Sequence, residues 1–228
     1  MNQYFQVDKS DQHTSARVGK LKTERGVIKT PCFIPDATYG AVKHLSSTDL
    51  DNIGLQMILG NIYHLGIRPG TKLIKKMGGL HKFMDWDKSI LTDSGGWQVF
   101  SLIYKHGMGK VEKDGIKFKD HFSGQKHFLT PQKCIQQQLD VDSNILMVLD
   151  YPIAPDGGKN ENSYSVSVTV KWAKIAKEYL EKKDKDKMLM AIIQGANDKE
   201  MRRSCFKQLE EINKWPGYGF GGPTVNNK

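Results

Sequence analysis

Residues 89–100 read Ser-Ile-Leu-Thr-Asp-Ser-Gly-Gly-Trp-Gln-Val-Phe, and several of them carry groups that can do chemistry together. Ile90 and Leu91 read as the end of a buried strand, which Gly95-Gly96 then break sharply. Asp93 and Ser94 stand where the strand stops, so a carboxylate, a hydroxyl and free backbone N–H groups are presented together. Trp97 adds a flat aromatic face and Gln98 an amide. A carboxylate beside a planar surface suits a planar ligand with a hydrogen-bonding edge, such as a purine. The same residues would also serve as a strand, a turn and a helix capped by Asp93 or Ser94. The motif alone leaves both readings open.

The elements that must position these groups repeat one pattern. Apolar runs at residues 56–61, 145–150 and 188–194 end in Asn61, Asp150 and Gln194, and residues 218–222 end in Gly221-Gly222. The runs are too uniformly hydrophobic to have a wet face, and helical stretches separate them, which predicts a parallel sheet covered by helices. In a (β/α) barrel the C-terminal strand ends converge on one face, where active sites are built. Capping or turn formation would explain each polar end alone; their repetition predicts an active site. Roughly six strands are legible, where closure of a barrel needs eight. Residues 4–35 predict a small hairpin before the main fold, and Ser46-Ser47-Thr48-Asp49 a helix start. Lysine-rich residues 105–130 predict a β-hairpin insertion with a turn at Asp114-Gly115, and Glu181 to Lys187 a solvated connection.

Composition narrows the function. Lys and Arg number 34 against 25 Asp and Glu, a formal charge of +9 that favours polyanionic partners, nucleic acid first among them. No apolar run approaches the roughly 20 residues of a membrane span, and residues 1–13 lack the apolar core of a secretory signal. Cys32, Cys134 and Cys205 stand far apart, which predicts a reducing cytoplasm and no zinc site within these residues.

The segments Thr38-Tyr39-Gly40, Leu59 to Leu65, Arg68-Pro69-Gly70, Leu91 to Gln98, Lys126 to Pro131, Ile192-Ile193-Gln194-Gly195 and Gly221-Gly222 resemble the tRNA-guanine transglycosylases, in order and over nearly the whole chain. The resemblance implies the N-terminal part of a (β/α)8 barrel enzyme, a pentosyltransferase that exchanges guanine in tRNA for a 7-deazaguanine. It implies that Asp93 recognises the base and acts as general acid/base, and that Trp97 stacks on the base. Asp150 would accept the guanine N1–H and exocyclic amine, while Gln194 and the backbone N–H of Gly222 donate to O6. Ser94, Gly95, Gly96 and Gly221 complete the base site, and Asn61, His64 and Gln98 support it. The implied partners are tRNA, a guanine or 7-deazaguanine base, and a second subunit in a homo- or heterodimer.

The departures from the family pattern are specific. The family's nucleophilic aspartate, which attacks ribose C1′, and its Cys-x-Cys-x-x-Cys plus histidine zinc site lie later than Lys228. Residues 1–228 alone are therefore expected to hold no cofactor and to exchange no guanine. Pro223-Thr224-Val225-Asn226-Asn227 replaces the usual Leu-Ala/Ser-Val-Gly-Glu, and Pro223 offers no backbone N–H. Tyr151-Pro152 replaces the Glu-Cys of bacterial enzymes. A non-catalytic transglycosylase-like subunit, or a relative acting on DNA, remains an alternative.

Overall fold

The computed structural model describes residues 3–154 and 157–221. The chain forms two compact units, Met1–Asp93 with Gln138–Leu146, and Ser94–Gln137 with Met147–Lys228.

The first unit begins with β1 (Phe5–Ser10), β2 (Arg17–Thr23) and β3 (Gly26–Thr30), an antiparallel sheet in sequence order. The expected hairpin thus has a third strand, since Thr23 to Gly26 turns the chain back and Val27 and Ile28 pair with Lys22 and Leu21. Helix α1 (Ser47–Asn52) starts where Ser46-Ser47-Thr48-Asp49 predicts, with a reciprocal capping box between Ser46 and Asp49. Strand β4 (Met57–Asn61) follows, then the short helices α2 (Ile62–Ile67), α3 (Thr71–Lys76) and α4 (Gly79–Met84), and then β5 (Ser89–Asp93). Strands β4 and β5 pair in parallel with Asn61 opposite Asp93, so the ladder itself sets two polar strand ends side by side. Asp36 makes a further parallel bridge to Leu59. Ile58, Ile62, Leu80, Trp86 and Ile90 form the core that covers the strands.

Helix α5 (Gly96–His106) opens the second unit and leads to β6 (Gly109–Glu112), β7 (Gly115–Lys119) and β8 (Lys126–Leu129), an antiparallel sheet in sequence order. The lysine-rich insertion is therefore three-stranded, not a hairpin. Asp120 causes the extra reversal: its Oδ1 accepts the N–H groups of Phe122 and Ser123, and its Oδ2 takes the Ser123 hydroxyl and His127 Nε2. The turn at Asp114-Gly115 is as expected, tied to the helix at 159–183 by Lys171 Nζ on Asp114 Oδ1 at 2.9 Å.

Helix α6 (Pro131–Asp140) and strand β9 (Ile145–Met147) each run from one unit into the other. In the first unit Leu91 and Thr92 of β5 pair in parallel with Ile145 and Leu146. Asn144 Oδ1 accepts the Ile90 N–H at 2.9 Å, and Thr92 Oγ1 lies 2.9 Å from both Gln138 Oε1 and Ser143 Oγ. These buried polar contacts hold the strand that ends in Asp93. Helix α7 (Lys159–Lys183), β10 (Met188–Ile193), α8 (Lys199–Ile212) and β11 (Tyr218–Phe220) complete the second unit.

Strand β9 stops three residues before Asp150, short of the whole apolar run 145–150. Beyond it the Val148 N–H still bonds Met190 O, but Tyr151 is claimed by α7, its N–H by Thr169 Oγ1 and its carbonyl by the Ser165 hydroxyl. Helix α7 also absorbs Glu181 to Lys183, the first part of the expected solvated connection. Strands β10 and β11 pair in parallel, Ala191 with Tyr218 through Ile193 with Phe220. The described parallel segments are thus five strands and the bridge at Asp36, the α/β arrangement expected for part of a (β/α) barrel.

The Asp120 turn generates the first prediction. Burial opposes the charged carboxyl, but the donors from Ser123, His127 and Phe122 outweigh it and hold its pKa well below the ordinary carboxylate value. A lowered folded pKa stabilises above the unfolded value and is lost as pH falls through the folded one. Asp120→Ala is expected to cost about 1–3 kcal/mol at pH 7, because it leaves backbone donors unpaired. Denaturant melts should show that difference shrinking as pH is lowered toward 2 (about two units below an ordinary carboxylate).

Candidate active site

Asp93 closes β5, and its two oxygens are held by separate donors. Asn61 Nδ2 lies 2.6 Å from Oδ2 and the Ile62 N–H 3.1 Å from Oδ1. Asn61 is also the N-cap of α2, accepting the His64 N–H at 3.0 Å on its own Oδ1. The amide therefore faces two ways, one end fixing the helix and the other the carboxylate. The His64 ring packs edge-on to Tyr39 and Tyr63, with centroids 4.9 and 5.0 Å away. Asn61 thus touches Asp93 directly, whereas His64 acts on Asn61 through its backbone.

The second unit holds the other carboxylate. Asp150 is 5% exposed, and its Oδ1 accepts the Ser94 hydroxyl at 3.0 Å while its Oδ2 accepts Gln194 Nε2 at 2.6 Å. Burial pushes its carboxyl above the ordinary pKa, against the lowering pull of the Gln194 and Ser94 donors. Its own backbone N–H adds a third donor to the carboxylate. Ser94 Oγ also accepts the Gly96 N–H at 3.1 Å, the nearest the motif comes to capping α5, whose N-cap is Gly95 at φ 73° with no side-chain bond.

Two glycines are required by close approach. A Cβ on Gly96 would lie 2.7 Å from Asp150 Oδ1, and one on Gly221 would lie 2.4 Å from Gln194 Nε2. Gln194 Oε1 is buried and has no partner among the described residues, as is true of Gln98 Oε1. Trp97 is 47% exposed and stacks on Phe100 at 5.3 Å, leaving much of its ring accessible. Gly222 lies outside the described residues.

One residue that the sequence placed only on a helix organises the surroundings of Gln194. From the first turn of α8, Arg202 sends Nε to Ala196 O at 2.8 Å, and Nη1 to Ile193 O and Nη2 to Gly221 O, both at 3.0 Å. A single guanidinium thus ties the carbonyls on either side of Gln194 to the end of β11. The Gln194 N–H in turn meets Cys205 Sγ at 3.4 Å, and Asn162 Nδ2 bonds Gly195 O at 3.0 Å.

A family model described as Queuine tRNA-ribosyltransferase matches residues 11–228. The chain belongs to this family. A queuine tRNA-ribosyltransferase of Caldanaerobacter subterraneus subsp. tengcongensis is 45% identical over 225 residues, covering 97% of this chain and 58% of that protein. The relative so named from Thermoanaerobacter pseudethanolicus is 42% identical over the same coverage, and that from Aquifex aeolicus is 42% identical over 92% of this chain and 57% of its own length. The chain therefore spans less than three fifths of these curated relatives.

The structural zinc implied by membership of the queuine tRNA-ribosyltransferase family does not fit the described residues. They contain no group of three or more His, Cys, Asp or Glu able to hold a metal ion. Cys134 Sγ is taken up by Ser94 O at 3.5 Å, and burial holds the Cys205 thiol above its ordinary pKa. No described helix is long and apolar enough to cross a membrane.

Arg202→Ala should remove a charged donor from the Ala196, Ile193 and Gly221 carbonyls, leaving Ile193 O with the Gly221 N–H, and lower stability by about 2–3 kcal/mol, the range for bonds to a charged group. Arg202→Lys should restore only part of this, because an ammonium cannot span three acceptors in a planar fork. Amide hydrogen exchange is expected to quicken first at residues 194–196 and 221. Uniform quickening across the unit would deny Arg202 this local role.

Proposed function

We propose that this chain recognises a guanine-type base and takes part in exchanging guanine in tRNA for a 7-deazaguanine. The observation that carries this reading is the Asp150 carboxylate, buried and oriented by the Ser94 hydroxyl on one oxygen and the Gln194 amide on the other. Two parallel acceptors fit the adjacent N1–H and exocyclic amine of guanine; adenine offers no such pair of donors on that edge. Trp97 supplies the ring for stacking. Gln194 Nε2 would turn from Asp150 to the base O6 on binding.

Asp93 is proposed as the general acid/base. Its carboxylate takes the proton that an incoming deazaguanine loses before attack on the ribose, and the two fixed N–H donors from Asn61 and Ile62 set its orientation. Association with a second copy or a related subunit belongs to the same proposal. A cytoplasmic enzyme acting on tRNA is the whole reading.

The test is Asp150→Asn in the full-length protein. Replacing one acceptor with an N–H should weaken guanine binding by about 1–3 kcal/mol while adenine binding changes little. Because Asp150 titrates above the ordinary carboxylate value, wild-type guanine affinity should fall on mild acidification as the acceptor protonates. The Asn variant should lack that step. Calorimetry showing equal guanine affinity in the two proteins would remove Asp150 from base recognition.

A further inference from the structure

The outer face of the β6-β7-β8 sheet carries a charge pattern that the base site does not use. In an antiparallel ladder, directly opposed residues share a face. Lys110 opposes Lys117, Lys117 opposes Phe128, and Lys119 opposes Lys126. All five side chains therefore project from one surface, while Ile116 and Phe118 point to the buried side. Glu112 lies on the same surface and pairs with Lys110 and Lys117, each at 2.9 Å. Among the described residues no ion pair engages Lys119 or Lys126.

Like charges directly opposite across a ladder destabilise a sheet. Lys119 and Lys126 accept that cost with no acid between them, which fits a surface completed by an external anion. The Phe128 ring is 37% exposed on the same face, with Lys117 Nζ over it at 5.5 Å from its centroid, so an aromatic ring and a cation stand together there. These residues line an open cleft of about 750 Å³. Phosphates could bind the lysines while a base stacks on the ring, the combination that unpaired nucleic acid offers and a duplex, its bases already stacked, does not.

We propose that this sheet face is a docking surface for a single-stranded RNA segment, distinct from the residues that recognise the exchanged base. The inference rests on the nucleic-acid part of the function proposed above. Its test separates the two, because guanine affinity reads the base site alone.

The decisive variants in the full-length protein are Lys126→Glu and the pair Lys119→Glu/Lys126→Glu. Lys126→Glu turns a repulsive cross-strand pair into an attractive one, so it should raise the unfolding midpoint while weakening RNA binding. A folding defect cannot produce that combination. With a short oligouridylate and with tRNA as probes, the double variant should bind at least tenfold more weakly at low salt. Its salt slope should fall by about 1.4, roughly 0.7 for each single-strand phosphate that a lysine no longer neutralises. Phe128→Ala should weaken oligouridylate binding several-fold and leave the slope unchanged, and guanine calorimetry should be unaltered throughout.

A Lys182→Glu/Lys183→Glu control at the end of α7 should bind RNA nearly as the wild type does. An equal drop in affinity in that control would reduce the effect to net charge and overturn the proposal, as would unchanged RNA affinity in the double variant. Loss of binding to phosphatidylserine vesicles with RNA affinity intact would assign the face to a membrane and also overturn it.

Discussion

An ionisable carboxylate can be buried only if its oxygens are hydrogen-bonded, since an unpaired buried charge costs far more than a single mutation usually changes. Asp150 meets this condition with a side-chain donor on each oxygen, Ser94 from just before α5 and Gln194 from the end of β10, besides its own backbone N–H. Much of the second unit follows from keeping these two donors in place. Gly96 and Gly221 are bare because the carboxylate and the Gln194 amide come within van der Waals contact of their backbones. Arg202 clamps the carbonyls around Gln194, and the α7 hydroxyls of Ser165 and Thr169 bend the chain away from the sheet directly after Asp150.

The first unit solves a related problem with a different device. Asp93 is less enclosed, and it is oriented by a strand register and a helix start. Pairing Asn61 with Asp93 across β4 and β5 puts an amide donor beside the carboxylate, and the first N–H of α2 supplies the second. The polar network of Thr92, Gln138, Ser143 and Asn144 then fixes β5. Asp93 thus closes a parallel strand and Asp150 follows one by three residues, each beyond the core side of its strand in the region where α/β folds present chemistry.

Much of this was legible in the sequence, because apolar runs ending in polar residues mark strand ends directly. Asn61, Asp93, Asp150 and Gln194 all stood out on that basis, and the Ser46–Asp49 capping box announced α1. The partnerships were less legible. That Ser94 serves Asp150 and not merely the α5 N-terminus depends on a contact across more than fifty residues. Arg202 was hidden because its targets are backbone carbonyls, which leave no mark in side-chain spacing. The third strand of the lysine-rich sheet was missed because Lys-His-Phe-Leu has no strict alternation, and the reversal before it depends on Asp120 meeting His127. The Gly222 expectation falls outside the described residues.

Asp150 is proposed as the acceptor of a guanine edge, and a crystal structure of the full-length protein with guanine bound tests this most directly. The predicted result places both Asp150 oxygens within hydrogen-bonding distance, about 2.7–3.2 Å, of guanine N1 and its exocyclic nitrogen. Gln194 Nε2 should have turned from the carboxylate to O6. Guanine seated elsewhere, with Ser94 and Gln194 still holding Asp150 as they do now, would contradict it.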